Sequence, residues 1–173
     1  MFIYFPGFKG HSPLHCAAAN GRLDIVKFIL ENVPVEINRK GYWTPLHLAI
    51  KFKHEKVVEF LLEQNADLNV QDDHNGAVPL HFAAVFGNIP IFKMIFEKTK
   101  DENMNPENRL GTTPMHEAAR HNNYKIIELM VDRYSHFKWT DDAFEDNTGD
   151  TPLHYAAEFG HIKVCEVICH SLT

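Results

Sequence analysis

Apolar residues in this chain fall into short helical stretches separated by polar, turn-forming punctuation. Val57-Val58-Glu59-Phe60-Leu61-Leu62 shows the pattern, with aliphatic side chains at i, i+3 and i+4 and charge between them. That stripe marks a helix that buries one face. Each such stretch follows, after a turn, a shorter segment that opens on a recurring block. The copies are Ser12-Pro13-Leu14-His15, Thr44-Pro45-Leu46-His47, Val78-Pro79-Leu80-His81, Thr113-Pro114-Met115-His116 and Thr151-Pro152-Leu153-His154. Their prolines stand 32, 34, 35 and 38 residues apart. One residue after each block come Ala17-Ala18, Ala49-Ile50, Ala83-Ala84, Ala118-Ala119 and Ala156-Ala157.

Each piece has a physical role. Ser or Thr before Pro is an N-cap followed by a proline in the first helical turn, where the missing N–H costs nothing. The alanines let neighbouring helices approach closely. Gly21, Gly87 and Gly160 end the first helix with a residue that tolerates positive φ. Lys53 and Asn122 hold that place in the other two copies. Asp73-His74-Asn75-Gly76, Asn108-Arg109-Leu110-Gly111 and Asp146-Asn147-Thr148-Gly149 are turn chemistry before the next block. The prediction is a set of helix–turn–helix units that must stack, because none can bury its apolar face alone.

The period and the Thr-Pro-Leu-His-x-Ala pattern resemble the ankyrin repeat. The resemblance covers about residues 7–170 and implies an all-α solenoid of stacked helix–turn–helix units with β-hairpin loops. The units run approximately over 7–38, 39–72, 73–107, 108–145 and 146–173, as one domain. Departures from the pattern are Lys40-Gly41-Tyr42-Trp43, with its glycine one place early, and Val78, which removes a cap hydrogen bond. The last connector, about Ser135 to Asp142, is longer than the period allows and holds Phe137 and Trp139. The start is aromatic (Phe2, Tyr4, Phe5, Phe8) rather than a polar cap, and is expected to fold over the first helices.

Charge narrows the function. Lys plus Arg is 17 and Asp plus Glu is 23, a net charge of −6, which argues against nucleic-acid binding. Residues 1–60 carry eight basic and five acidic side chains, whereas 61–173 carry nine and eighteen. Three cysteines do not make a disulfide framework, so the chain reads as cytoplasmic or nuclear. No apolar run reaches the roughly 18 residues of a membrane span, and the start has no signal-peptide pattern.

Candidate chemistry is thin. Five of the twelve histidines belong to the block and are read as structural. His161, Cys165 and Cys169 recur at i, i+4 and i+8, but the cysteines align with core positions and no fourth ligand has zinc spacing. No metal or cofactor is expected. No nucleophile elbow, phosphate loop or zinc-protease motif is present, so catalysis is not expected. Asp72-Asp73 and Asp141-Asp142 read as solvated turns.

What remains is a protein partner, bound by a monomer. By resemblance to ankyrin repeats, contacts come from the hairpin tips (Lys40, Trp43, His74, Asn75, Arg109, Leu110) and from the ends of the first helices (Lys51, Phe52, Val85, Phe86, Arg120, His121, Phe159). Phe52, Phe86 and Phe159 share one repeat position and suggest an apolar strip. The partner surface is expected to mix acidic and apolar groups. Asn38 and Asn69, after Glu36-Ile37 and Asp67-Leu68, resemble the substrate pattern of asparaginyl hydroxylases that act on ankyrin repeats, and also fit the ordinary turn consensus. More specific alternatives are an inhibitor masking a Rel-type transcription factor, and the ankyrin part of a channel, kinase or ubiquitin-ligase subunit.

Overall fold

The computed structural model describes residues 10–100, 105–133 and 144–171. The aromatic start with Lys9 and the long connector with Phe137, Trp139 and the Asp141-Asp142 pair lie outside the described residues. Among those described, ten helices follow in pairs: α1 (Pro13–Ala19) and α2 (Leu23–Asn32), α3 (Pro45–Lys51) and α4 (Glu55–Glu63), α5 (Pro79–Phe86) and α6 (Ile89–Lys98), α7 (Pro114–Arg120) and α8 (Tyr124–Arg133), α9 (Pro152–Glu158) and α10 (Ile162–His170). The first helix of each pair stacks on the next, α1 on α3, α3 on α5, α5 on α7 and α7 on α9. The second helices form an outer row from α2 to α10. The hairpin loops are turns, and no residue among those described is in a strand.

The core runs unbroken through the stack. The block residues Leu14, Leu46, Leu80 and Met115 are all buried, as are Ala18, Ala49, Ala84, Ala119 and Ala156 between the inner helices. Each large side chain so buried contributes about 1.5–3 kcal/mol relative to exposure. The outer helices add Val26, Val58, Phe92, Ile127 and Val164.

The block histidines organise the helix starts. The backbone N–H of the cap residue donates to His Nδ1 at Ser12 (3.0 Å), Thr44 (3.4 Å), Val78 (3.3 Å), Thr113 (3.1 Å) and Thr151 (3.1 Å). Nδ1 therefore carries no proton, and Nε2–H donates onward. His15 reaches the Trp43 carbonyl, His81 that of Thr112 and His116 that of Asp150, each at 3.0 Å. The starts of α1, α5 and α7 are thus tied to the loop of the following unit. At His47 the corresponding carbonyl is that of Ala77, but Nε2 completes no hydrogen bond there, and the Phe82 ring packs edge-on at 4.6 Å. Burial pushes His15, His47 and His81 down to about 4 and lowers His116 as well.

These contacts revise the expected cap. Only the Thr44 hydroxyl accepts from a helix amide, that of His47 at 3.3 Å. The hydroxyls of Ser12, Thr44, Thr113 and Thr151 all donate to the imidazole at 2.8–2.9 Å, because the bare Nδ1 is a near, strong acceptor. Val78 has no hydroxyl to offer, as the sequence implies, and keeps only its backbone bond to His81.

The turns behave as their residues require. Gly21, Gly87 and Gly160 have φ of 67°, 67° and 70°, and Lys53 and Asn122 adopt 59° and 58° at the same place. The residue before three of the four later second helices then crosses back over this turn, while Asn88 before α6 donates to the Glu55 carboxylate instead. His54 bonds to the Ala19 carbonyl (3.0 Å), Asn123 to that of Ala84 (2.6 Å) and His161 to that of Arg120 (2.9 Å). His161 therefore serves the stack. Cys165 is half-buried against the core, whereas Cys169 is exposed, contrary to its alignment with buried positions. The reason is that no described helix packs beyond α10.

Candidate functional site

The loops of the third, fourth and fifth units are each built around one buried polar side chain. Asn108 Oδ1 accepts from the backbone N–H of Leu110 and Thr112. Asp146 Oδ1 accepts from Thr148 and Asp150 in the same way. In the third unit this residue is Asp72, which accepts from Asn75 (3.2 Å) and Ala77 (2.9 Å). Asp72 is only 3% exposed, so it is not a solvated turn residue. The Asp-x-x-Gly register misplaces the anchor by one, because this loop holds one residue more than the others. Asp146 is also buried; burial pushes its carboxyl up, but bonds from Thr148, Tyr155 and the backbone outweigh this and leave it well below the usual range.

Successive loops also bond to each other. Asp73 N–H donates to the Tyr42 carbonyl, Arg109 to that of Asn75 (2.7 Å) and Asn147 to that of Leu110 (3.1 Å). Arg109 Nη1 adds bonds to the carbonyls of Asp73 and His74, each at 3.2 Å. Gly41 approaches the preceding loop so closely that a Cβ would stand 2.6 Å from the His11 ring, which explains its displaced position. The result is a fixed rail of loops above the ends of the inner helices.

Between this rail and the ends of α3, α5 and α7 lies an open groove of about 640 Å³. Of the candidate partner-binding residues, Trp43, Lys51, His74, Asn75, Val85, Phe86, Arg120 and His121 line it. Trp43 is pinned by donating from Nε1 to Asp72 Oδ2 at 3.3 Å and by the Phe82 ring, edge-on at 6.0 Å. Phe82 in turn lies 6.1 Å from Phe86. Lys51 Nζ sits 3.8 Å over the centre of the Trp43 ring; burial lowers its pKa. Such a cation–π contact stabilises by about 0.5–2 kcal/mol. At the other end, the Arg120 guanidinium lies 5.5 Å from the centre of the Phe159 ring. Glu117 stands nearby, 3.8 Å from His121 Nδ1, and accepts a 3.4 Å bond from Thr112.

The other candidates lie outside the groove lining. Lys40 pairs with Asp73 at 2.8 Å on the exposed rim, where such pairs contribute little. Arg109 and Leu110 are on an exposed loop, Leu110 at 58%. Phe52 caps α3, with its ring 6.5 Å from His54, and Phe159 caps α9 and is exposed. The aromatic run in the groove is therefore Trp43, Phe82 and Phe86, with His121 rather than an aromatic hydrocarbon at the matching place in the fourth unit. Asn38 accepts from the Asp67 N–H at 2.9 Å, bridging two loops. Asn69 is exposed, with its N–H on Asp67.

Sequence reasoning missed Asp72, Phe82 and Glu117. Phe82 and Glu117 follow the block histidine, a place filled elsewhere by Cys16, Leu48 and Tyr155. That variety beside constant neighbours was the available signal. Among the described residues, no group of three or more His, Cys, Asp or Glu is placed to hold a metal, and no helix is long and apolar enough to cross a membrane.

Comparison with known proteins agrees with this geometry. A model of ankyrin repeats in three copies matches residues 4–72, 36–106 and 80–172. The chain is 30% identical over 135 residues to the probable 26S proteasome regulatory subunit p28 of Saccharomyces cerevisiae, covering 75% of this chain and 58% of that protein. It is 31% identical over 152 residues to the probable E3 ubiquitin-protein ligase XBOS32 of Oryza sativa, covering 70% and 30%. To the nuclear factor NF-kappa-B p105 subunit of Gallus gallus it is 30% identical over 131 residues, covering 71% and 13%. The chain thus spans less than two thirds of the length of each of these relatives. With stacked helix pairs, a repeated histidine tie and a matching model over nearly the full length, the chain belongs to the ankyrin-repeat family.

Proposed function

We propose that this chain is a non-enzymatic protein-interaction module of the cytoplasm or nucleus. It holds a partner through the loop rail and the groove of its second to fourth units. The observation that carries this reading is the groove itself. Trp43 and Phe86, half-buried beside the buried Phe82, offer an aromatic floor flanked by Lys51 and Arg120. Aromatic and arginine side chains of this kind supply most of the binding energy at interfaces. Because the histidine ties and loop bonds fix the groove before association, little ordering entropy opposes binding. The partner surface facing it mixes acidic and apolar groups.

Relatives named as a proteasome regulatory subunit, a ubiquitin ligase and a transcription-factor subunit stand at nearly equal identity. Masking of a Rel-type factor and service within a larger ubiquitin-ligase subunit both remain narrower versions of this one role. The test compares three folded baits in cell lysate: the native chain, a groove variant (Lys51→Ala, Phe86→Ala, Arg120→Ala) and an outer-face control (Lys93→Ala, Glu97→Ala). A protein captured by the native chain and the control but lost from the groove variant is the expected result. Equal capture by all three contradicts the reading.

A further inference from the structure

The groove carries a charge pattern that specifies its occupant more closely. Six residues after the block proline, the inner helices present Lys51 on α3, Val85 on α5, Arg120 on α7 and Glu158 on α9. Along the stack the row therefore reads cation, apolar, cation, anion. The two cations share a setting. Each rests on an aromatic ring, Lys51 on Trp43 and Arg120 on Phe159. Neither is paired with a carboxylate among the described residues. Two carboxylates, Asp72 and Glu117, also line the groove, and both are already hydrogen-bonded. Asp72 is held by Trp43 and its own turn, Glu117 accepts from Thr112, and Asp73 on the rim is paired with Lys40. With Asp72 buried and Glu117 half-buried, the charges the groove offers to a partner at its two ends are Lys51 and Arg120, with an apolar centre between them.

Spacing follows from helix packing. Lys51 and Arg120 are two stacking steps apart, and packed helices stand roughly 8–10 Å apart, so the cations are separated by roughly 16–20 Å. An extended polypeptide rises about 3.3 Å per residue, so this distance corresponds to about five or six residues. We propose that the groove takes an extended segment of a partner protein bearing two carboxylate side chains five or six positions apart, with an apolar residue between them over Val85 and Phe86. The two carboxylates meet Lys51 and Arg120 in charge-assisted hydrogen bonds. Glu158 sets the direction, disfavouring a third acid beyond Arg120 and favouring a basic residue there. This inference rests on the groove being the interaction surface, as proposed above.

The test selects a phage-displayed library of random twelve-residue segments on the native chain. It is counter-selected on a Lys51→Gln/Arg120→Gln variant whose fold is checked by circular dichroism. Enriched segments are expected to share two Asp or Glu residues five or six positions apart around an apolar residue. A synthetic peptide of that sequence is expected to bind each single Gln variant about tenfold more weakly. Enriched segments without the acidic pair, or no enrichment over the double variant, overturn the proposal. Phe86→Ala separates the two levels. Peptides that lose binding to Phe86→Ala yet bind both Gln variants like the native chain leave the groove as the interaction surface and remove only the acidic pairing. Peptides indifferent to all three substitutions remove both.

Discussion

At the scale of the residue, the block histidines hold the units together, and they do so only as neutral rings. Each Nδ1 must accept a backbone N–H, so protonation there breaks the tie at its centre. Burial holds His15, His47 and His81 at about 4, from 6.5 in the unfolded chain. Between those values the unfolded chain binds more protons than the folded one, so stability rises with pH across that window. The thermal midpoint is expected to be flat above about pH 7 and to fall by several degrees as the pH drops from about 6.5 toward 4. A midpoint unchanged down to about pH 4.5 contradicts the burial of these rings in the neutral form. The structural role of these five residues was legible from their repetition. The tautomer and the direction of the tie were not, because both depend on which carbonyl of the next unit comes within reach. Asp72 was misread for the same reason. A turn of Asp, Asn and Gly looks solvated until the Trp43 indole of the preceding unit closes over it.

At the scale of the element, the helix pairs follow from local chemistry. Proline at the first turn, alanine at the contact and a left-handed residue at the end together dictate a seven- or eight-residue inner helix. The one poor choice is Lys53, a non-glycine residue at φ 59° on an exposed turn. Lys53→Gly is expected to stabilise the chain by roughly 0.5–1 kcal/mol, seen as a higher denaturant midpoint. Glu59→Gly, at the exposed middle of α4, should instead destabilise it by about 1 kcal/mol. A Lys53→Gly midpoint at or below that of the native chain contradicts the assigned strain. The bonds that tie consecutive units across these turns, from His54, Asn123 and His161, were not legible. Their side chains share polarity rather than identity, so no repeated letter announces them.

At the scale of the whole molecule, five helix pairs share one continuous core, and the loop rail fixes one face of the stack. Most of the candidate contact residues converge on a single groove because the repeat places equivalent positions side by side. The aromatic floor was legible only in part. Phe86 was read from its shared repeat position, but Phe82 was hidden by a position whose side chain changes from unit to unit. The outer helices present a different surface, with Lys93 and Glu97 exposed on α6. The central claim is that partners bind the groove rather than this outer face. Its most direct test places a photo-crosslinking amino acid at position 85, 93 or 110 in the chain expressed in cells. One shared crosslinked protein is expected from positions 85 and 110, and none from position 93. A partner crosslinked from position 93 and absent from position 85 contradicts it.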